Sequence, residues 1–407
     1  MDAPKNFNSY PFGYHQEIEL RIDTLTNLGH GLGRKDNWVV MVPFALPGEL
    51  VKVRIYRNFK NYSDGDLVKV IEASPFRIQP KCELFGVCGG CQYQNFDYAE
   101  QLKWKQRQIG EIFLKLADLE VKVNPTIGSP KEYHYRSKIT PHFTKPGFEN
   151  VFPIGFLKKD GRNQVVDVKQ CSIATEVLNQ SLPREREKVF AARKKFKKGG
   201  TLLLRDTQDG VITDNNAIAS EKVGNKVFQF IAGDFFQNNP FILPLMIDYV
   251  VSQAKGEKIR YLIDAYCGVG VFALSAAQSF ERVVGIEINA SAVKWAQKNA
   301  ILNNSENCEF KVGQAEHIFE KVTFPPEETV VIIDPPRKGC DQIFIDQLIG
   351  FGPTRIVYVS CEPSTQARDL KILLKLGYGL LEVQPFDLFP QTRHIENVIV
   401  LEKIDIF

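Results

Sequence analysis

The sequence predicts a multidomain chain of three units in 407 residues: a small β-barrel over 1–75, a central α+β domain over 76–232, and a C-terminal α/β domain with a Rossmann-like sheet over 233–407. Three observations carry that division. Short alternating strands separated by glycines fill the first stretch, three cysteines crowd into the opening of the second, and buried-type strands alternate with helices through the third. An apolar content of 44% allows a core in each unit. The net charge of +3 is too small to announce a polyanion partner, so any nucleic-acid surface must come from local clustering. No apolar run approaches membrane-spanning length, and residues 1–16 lack the pattern of a secretory leader. A cytoplasmic protein with no membrane contact and no obligate protein partner is expected. The eight cysteines are then expected as core, ligands or nucleophiles rather than disulfides.

In the first unit, residues 17–22 alternate polar and apolar as a half-buried strand should. Leu28-Gly29-His30-Gly31-Leu32-Gly33 reads as a turn using positive φ. Residues 38–43, 49–56 and 66–71 read as further strands, with Leu46-Pro47-Gly48-Glu49 as a connecting turn. Arg54, Arg57 and Lys60 interleave with Tyr56, Phe59 and Tyr62. That mixture suits an RNA-binding barrel and equally an ordinary solvated strand face.

The second unit opens with Cys82-Glu83-Leu84-Phe85-Gly86-Val87-Cys88-Gly89-Gly90-Cys91. Glycines let such a segment fold back so that its thiols face one centre, and Cys171 is the obvious remote fourth donor. Four thiolates suit zinc or an iron–sulfur cluster. The uneven spacing, without paired Cys-x-x-Cys knuckles, favours [4Fe-4S], with zinc as the alternative. Residues 92–117 read as an amphipathic basic helix on which Lys103, Lys105 and Arg107 do not share a face. Residues 134–143 alternate basic and aromatic groups on an expected strand, an arrangement that tracks phosphates and stacks bases. The dense run of cations at 184–198 reads first as solvated surface that could also steer RNA inward.

In the third unit, the strand at 260–264 leads into Ala265-Tyr266-Cys267-Gly268-Val269-Gly270 and then a helix at 271–277. The next strand ends in Glu287, at the distance where an acid reaches a ribose diol. A dinucleotide fingerprint would carry a third glycine, so a ligand with adenosine and no phosphates, S-adenosylmethionine, fits better. Val330-Val331-Ile332-Ile333-Asp334-Pro335-Pro336-Arg337 is a further strand ending in an acid held by two prolines. Val357-Tyr358-Val359-Ser360-Cys361 then ends at the same sheet edge, where Pro363 is expected to block an immediate helix. A cysteine there is more often core than nucleophile when read alone. Glu396, beside His394 at the start of the last strand, is the best-placed base opposite it.

Together these segments resemble the RNA 5-methyluridine (uracil-C5) methyltransferases, in the type with a TRAM barrel and an iron–sulfur site. The Gly-x-Gly and Val42-Pro43-Phe44-Ala45-Leu46-Pro47-Gly48-Glu49 segments carry the TRAM likeness. The cysteines, Asp264 to Gly270, Asp334-Pro335-Pro336-Arg337, Ser360-Cys361 and His394-Ile395-Glu396 carry the rest, in one order along nearly the whole chain. The resemblance implies a class I methyltransferase fold with Cys361 as nucleophile and Glu396 as base. It implies that Gln237, Tyr266, Glu287, Gln314 and Asp334 hold S-adenosylmethionine or line the site, and that Cys82, Cys88, Cys91 and Cys171 bind the cluster. Val271 departs from a position the family often fills with a polar residue, and Gln314 from one that is commonly Asp or Asn. The implied substrate is structured RNA, with 23S rRNA preferred and the tRNA T-loop as the alternative. Two other readings stay open. One is an amino-methyltransferase, against which Arg337 speaks; the other is a non-catalytic RNA chaperone or assembly factor, against which the glycine turn, Glu287 and Asp334 speak.

Overall fold

The computed structural model describes residues 3–145, 152–159, 161–313 and 318–404. Strands Glu17–Leu25, His30–Lys35, Trp38–Pro43, Leu50–Asn58 and Tyr62–Glu72 close into a barrel. Their inward residues alternate as a half-buried strand requires, with Leu20, Ile22, Val40, Val42, Val51, Val53 and Ile55 filling the interior. The stretch expected to be one glycine turn splits in two. Gly29 takes the turn at φ 79°, whereas Gly31 and Gly33 lie within a strand. A Cβ on Gly33 would sit 2.1 Å from the Arg21 carbonyl oxygen, so close strand approach explains that glycine.

Glu49 opens no strand. It is fully buried, accepting from Leu46 N at 2.8 Å and from Arg77 Nη2 at 2.7 Å, and it locks the barrel to the segment that leaves it. At the hairpin end, Arg57 lies over the Phe59 ring and Phe59 stacks on Tyr62 at 4.4 Å.

The long basic helix begins at Tyr98 rather than 92, because Asp97 caps it by accepting from Glu100 N. It runs to Ile112 and continues as one wide turn, Phe113–Ala117. Lys103 and Arg107 are solvated and pair with Glu100 and Glu111 on their own helix. Lys105 is completely buried against Asp387, 2.6 Å away, which the charge pattern alone does not reveal. The strand expected over 134–143 is broken into Lys138–Ile139 and His142–Phe143. His134 takes positive φ, and Tyr135 is buried, donating to the Pro390 carbonyl at 2.9 Å instead of facing a ligand. Within the basic run, Arg186 turns inward to the Val168 carbonyl and Asp167, while Lys194, Lys195, Lys197 and Lys198 are exposed.

The C-terminal sheet has the spatial order Cys308–Val312, Arg282–Glu287, Tyr261–Ala265, Thr329–Ile333, Arg355–Ser360, Glu396–Lys403, Tyr378–Phe386. The first five are parallel and Glu396–Lys403 is antiparallel to both its neighbours. Helices cover both faces, so the central strands read as unbroken apolar runs. Helix Pro363–Lys375 starts immediately after Cys361 with Pro363 in its first turn. The proline initiates that helix, since its missing N–H and fixed φ suit the first helical position. The hairpin Ile218–Val223 and Lys226–Ile231 packs into the same core through Phe228 and Phe230.

Candidate active site

Asp264, Tyr266, Glu287, Asp334 and Cys361 all emerge at the carboxyl edge of the parallel strands, where open α/β sheets bind ligands. Gly268 has φ 55° and open space where a Cβ would lie, and Gly270 has φ 88°. The backbone is therefore bare at Gly268, whereas at Gly270 the Phe310 ring fills the place of a Cβ. Glu287 reaches back to this turn, accepting from Gly268 N at 3.2 Å and from Asn289 N at 2.8 Å. Tyr266 enters the turn at φ 65° with its ring 5.1 Å from Phe344.

Asp264 is fully buried and accepts from Ala273 N at 2.9 Å, at the start of helix Val271–Ala276. Its other oxygen has no partner. Burial, opposed by that hydrogen bond and reinforced by Asp334 and Glu287, pushes its carboxyl up to about 8. Gln237 lies half-buried between the Lys226–Ile231 hairpin strand and helix Leu243–Ala254. Gln314 lies outside the described residues.

Antiparallel register pairs Ser360 with Asn397, which brings Cys361 and Glu396 to neighbouring strand ends, close enough for the carboxylate to act on the thiol. The acid is 4% exposed. Burial raises the Glu396 carboxyl well above its ordinary range, Asp334 adds to that, and Arg337 works against it. Burial likewise pushes the Cys361 thiol up to about 12, helped by Glu396 and Asp334, while Arg337 opposes through its charge and a hydrogen bond. Burial also brings Asp334 to about 7. The site is thus a cluster of acids whose carboxyls are all raised by desolvation, with neighbouring carboxylates adding to the rise at Asp264 and Glu396 and the Arg337 guanidinium opposing it at Glu396.

Sequence reasoning missed the amides that hold this edge. Asn299 is buried in helix Ala290–Leu302, accepts from Gln229 N at 2.8 Å, and donates to the Val269 carbonyl inside the glycine turn at 3.1 Å. Gln366 bridges the Cys361 and Glu396 strands. The available signal was a polar residue on an otherwise apolar face: Asn299 among Val293, Ala296 and Ala300, and Asn397 opening a run of apolar strand residues.

Cys82, Cys88, Cys91 and Cys171 line one cavity of ≈ 470 Å³. Gly90 N points at the Cys88 sulfur at 3.4 Å, and Asn179 fixes Cys171 by accepting from its N–H and donating to its carbonyl. The turn glycine is Gly86, at φ 86°, while Gly89 packs against the Leu157 carbonyl. Among the described residues no three metal-binding side chains converge at single-ion distances. The donor chemistry nevertheless fits a soft metal or cluster. Four thiols share the cavity with Arg136, Lys158 and Lys159 and no carboxylate, a lining that suits the negative charge of a tetrathiolate site. Thr392 and His394, from the loop preceding Glu396, complete one wall.

The family model described as tRNA (Uracil-5-)-methyltransferase matches residues 201–404, and the TRAM domain model matches residues 15–68. The tRNA (uracil(54)-C(5))-methyltransferase of Schizosaccharomyces pombe is 43% identical over 97% of this chain and 80% of its own length. The chain belongs to this methyltransferase family. As a member it is an S-adenosylmethionine-dependent RNA uracil-C5 methyltransferase with an N-terminal TRAM domain. The corresponding enzyme of Saccharomyces cerevisiae is 35% identical over 96% of this chain and 74% of its own length. An uncharacterized RNA methyltransferase of Clostridium acetobutylicum is 31% identical over 97% and 99%. Among solved structures, the fold is shared with Pyrococcus abyssi tRNA (uracil-54, C5)-methyltransferase in complex with S-adenosyl-L-homocysteine. Its TM-score is 0.73 at 23% identity, covering 94% of this chain and all of that one. No helix among the described residues is long and apolar enough to cross a membrane.

Proposed function

We propose that this methyltransferase acts on the T-loop uridine of tRNA, with Cys361 adding to C6 of the base and Glu396 removing the C5 proton. The observation that supports these roles is the pairing of Ser360 with Asn397, which brings Cys361 and Glu396 to neighbouring strand ends with Asp334 and Arg337 close enough to act on the thiol. The two fungal relatives that cover most of this chain are named for uracil-54 of tRNA, which favours tRNA over the 23S rRNA preferred from sequence alone.

Uracil C5 is too weak a nucleophile to take a methyl group from a sulfonium directly. Addition of the Cys361 thiolate to C6 forms an S–C6 bond and turns C5 into an enolate-like carbon. C5 then takes the methyl group and the cofactor leaves as neutral S-adenosylhomocysteine. Glu396 accepts the C5 proton as the S–C6 bond breaks, returning the thiolate. The base must leave its stack to be reached, so the uridine is splayed into the pocket. The Cys361 thiol and the Glu396 carboxyl, both raised by burial, give up their protons to solvent before addition and elimination, and the positive charge of a bound sulfonium would favour both ionised forms. Glu287 and the bare turn at Gly268 are the groups placed to receive ribose and adenosine, with Tyr266 and Asp334 beside them. Gln237 and Gln314 are carried as cofactor-side residues on the family likeness alone.

We hold Cys82, Cys88, Cys91 and Cys171 to be ligands of a [4Fe-4S] cluster, which would cross-link two loops and supply no electron to this chemistry. An anaerobic preparation should be brown with about four irons per chain; stoichiometric zinc without iron would replace that reading. The function itself is tested by incubating Cys361→Ala with labelled S-adenosylmethionine and tRNA. Cofactor binding should persist and methyl transfer vanish. Retained turnover would end the C6-adduct mechanism, and methylation of 23S rRNA but not tRNA would reverse the substrate.

A further inference from the structure

Glu396 is the first residue of its strand, paired with Phe386 on one side, and the loop before it leads directly into the base. That loop, 387–395, is anchored almost wholly by residues outside the C-terminal sheet. Gln391, at φ 67°, is its pivot. Its carbonyl accepts from both Gln92 N and Tyr93 N at 3.0 Å. Its side chain and backbone form a reciprocal pair with Gln101, whose Nε2 donates to Gln391 Oε1 at 3.0 Å and whose Oε1 accepts from Gln391 N at 3.2 Å. The Gln92 side chain accepts from Arg393 N at 3.1 Å, and Tyr135 donates to the Pro390 carbonyl. Gln101 and Gln391 are buried, so these contacts exchange little with water.

We propose that Gln101 and Gln92 are positioning residues for Glu396, acting through Gln391 and Arg393 to hold the base over C5 during the elimination step. Their side chains reach Glu396 only through the loop that precedes it. The reaction divides at this point: addition and methyl transfer need Cys361 and the cofactor, whereas release of the product needs the proton acceptor in place. Loosening the loop should therefore leave the first half of the reaction running and stall the second. Because Gln92 directly follows Cys91, the same clamp joins the cysteine cavity to the base.

The inference rests on the proposed role of Glu396, and the experiment separates the two. Gln101→Ala, Gln92→Ala and Glu396→Gln are each mixed, as full-length protein, with tRNA and labelled S-adenosylmethionine. The lifetime of the denaturant-resistant protein–RNA adduct is followed beside cofactor affinity and amide exchange over 388–395. Both glutamine variants should lengthen the adduct lifetime about tenfold, speed exchange in the loop, and leave cofactor affinity within about twofold. Gln92→Ala removes an exposed-side contact and keeps the test available should Gln101→Ala fold poorly. A persistent adduct in Glu396→Gln together with a normal lifetime in the glutamine variants overturns the positioning role alone. No persistent adduct in Glu396→Gln overturns the role of Glu396 as base, and the inference with it.

Discussion

Gln366 Oε1 accepts from Asn397 Nδ2 at 2.7 Å, while Gln366 Nε2 donates to the Tyr358 and Asn397 carbonyls at 3.0 and 3.2 Å. One buried amide thereby ties the strand that ends at Cys361 to the strand that begins at Glu396. Truncating either residue leaves buried polar atoms without partners, at a cost of about 1–3 kcal/mol each. Gln366→Ala should lower the urea midpoint by a corresponding amount. Gln366→Glu keeps one acceptor and loses the donors, so it should be at least as damaging. An unchanged midpoint in both variants would mean that the strand pairing alone sets the register.

The buried acid of the glycine turn makes a prediction about pH. Asp264 has a folded-state pKa near 8, above the unfolded value of about 4, so the folded chain binds the extra proton between those limits. Stability is then full below about pH 4 and declines as pH rises toward 8, by up to about 1.4 kcal/mol per unit for this group. Asp264→Asn can still accept from Ala273 N and has nothing to ionise. The variant should lose less stability than the parent between pH 5.5 and 8, measured by thermal unfolding in matched buffers. Equal slopes would show that Asp264 ionises in the fold at its ordinary pKa.

Lys105 and Asp387 are both fully enclosed, 2.6 Å apart, between the Tyr98–Ile112 helix and the loop before Glu396. Burial lowers the lysine pKa and the aspartate opposes that change. Removing one partner strands a charge, so Lys105→Met should destabilise by about 3–5 kcal/mol. Lys105→Met with Asp387→Asn should recover much of that loss, because the stranded carboxylate is gone. A double variant no better than the single one would show that the packing of the lysine stem, and not the charge pair, is what matters.

That pair also marks how far the sequence could be read. Barrel strands, alternating strands and helices, and the placement of Cys361, Glu287 and Asp334 at one edge follow from local periodicity, which each segment carries in itself. The local pattern does not separate Lys105 from the solvated Lys103 and Arg107, because its partner lies 282 residues away. Gln101 and Gln391, 290 residues apart, were invisible for the same reason. Pro363 was read as a barrier to helix when it starts one, since the two roles differ only in whether the chain enters or leaves the helix there. The resemblance offers what periodicity does not, proposed roles for individual side chains. It does not offer the contacts of Gln92 and Gln101 with the loop before Glu396, which form only once distant parts of the chain meet.

Arg337 opposes the acids around Cys361, and it hydrogen-bonds the thiol. Thiol ionisation is uphill at neutral pH, so the free enzyme's methylation rate should climb with pH as the thiolate fraction grows. Arg337→Gln keeps a donor of similar reach and removes the charge. The thiol pKa should rise further, by an amount that solvent screening limits because the guanidinium is exposed. Single-turnover methyl transfer at pH 7.5 should fall about three- to tenfold, the deficit should narrow as pH is raised, and added salt should weaken the parent more than the variant. A deficit constant with pH would instead assign Arg337 to binding RNA phosphate, where its loss lowers affinity without touching the thiol.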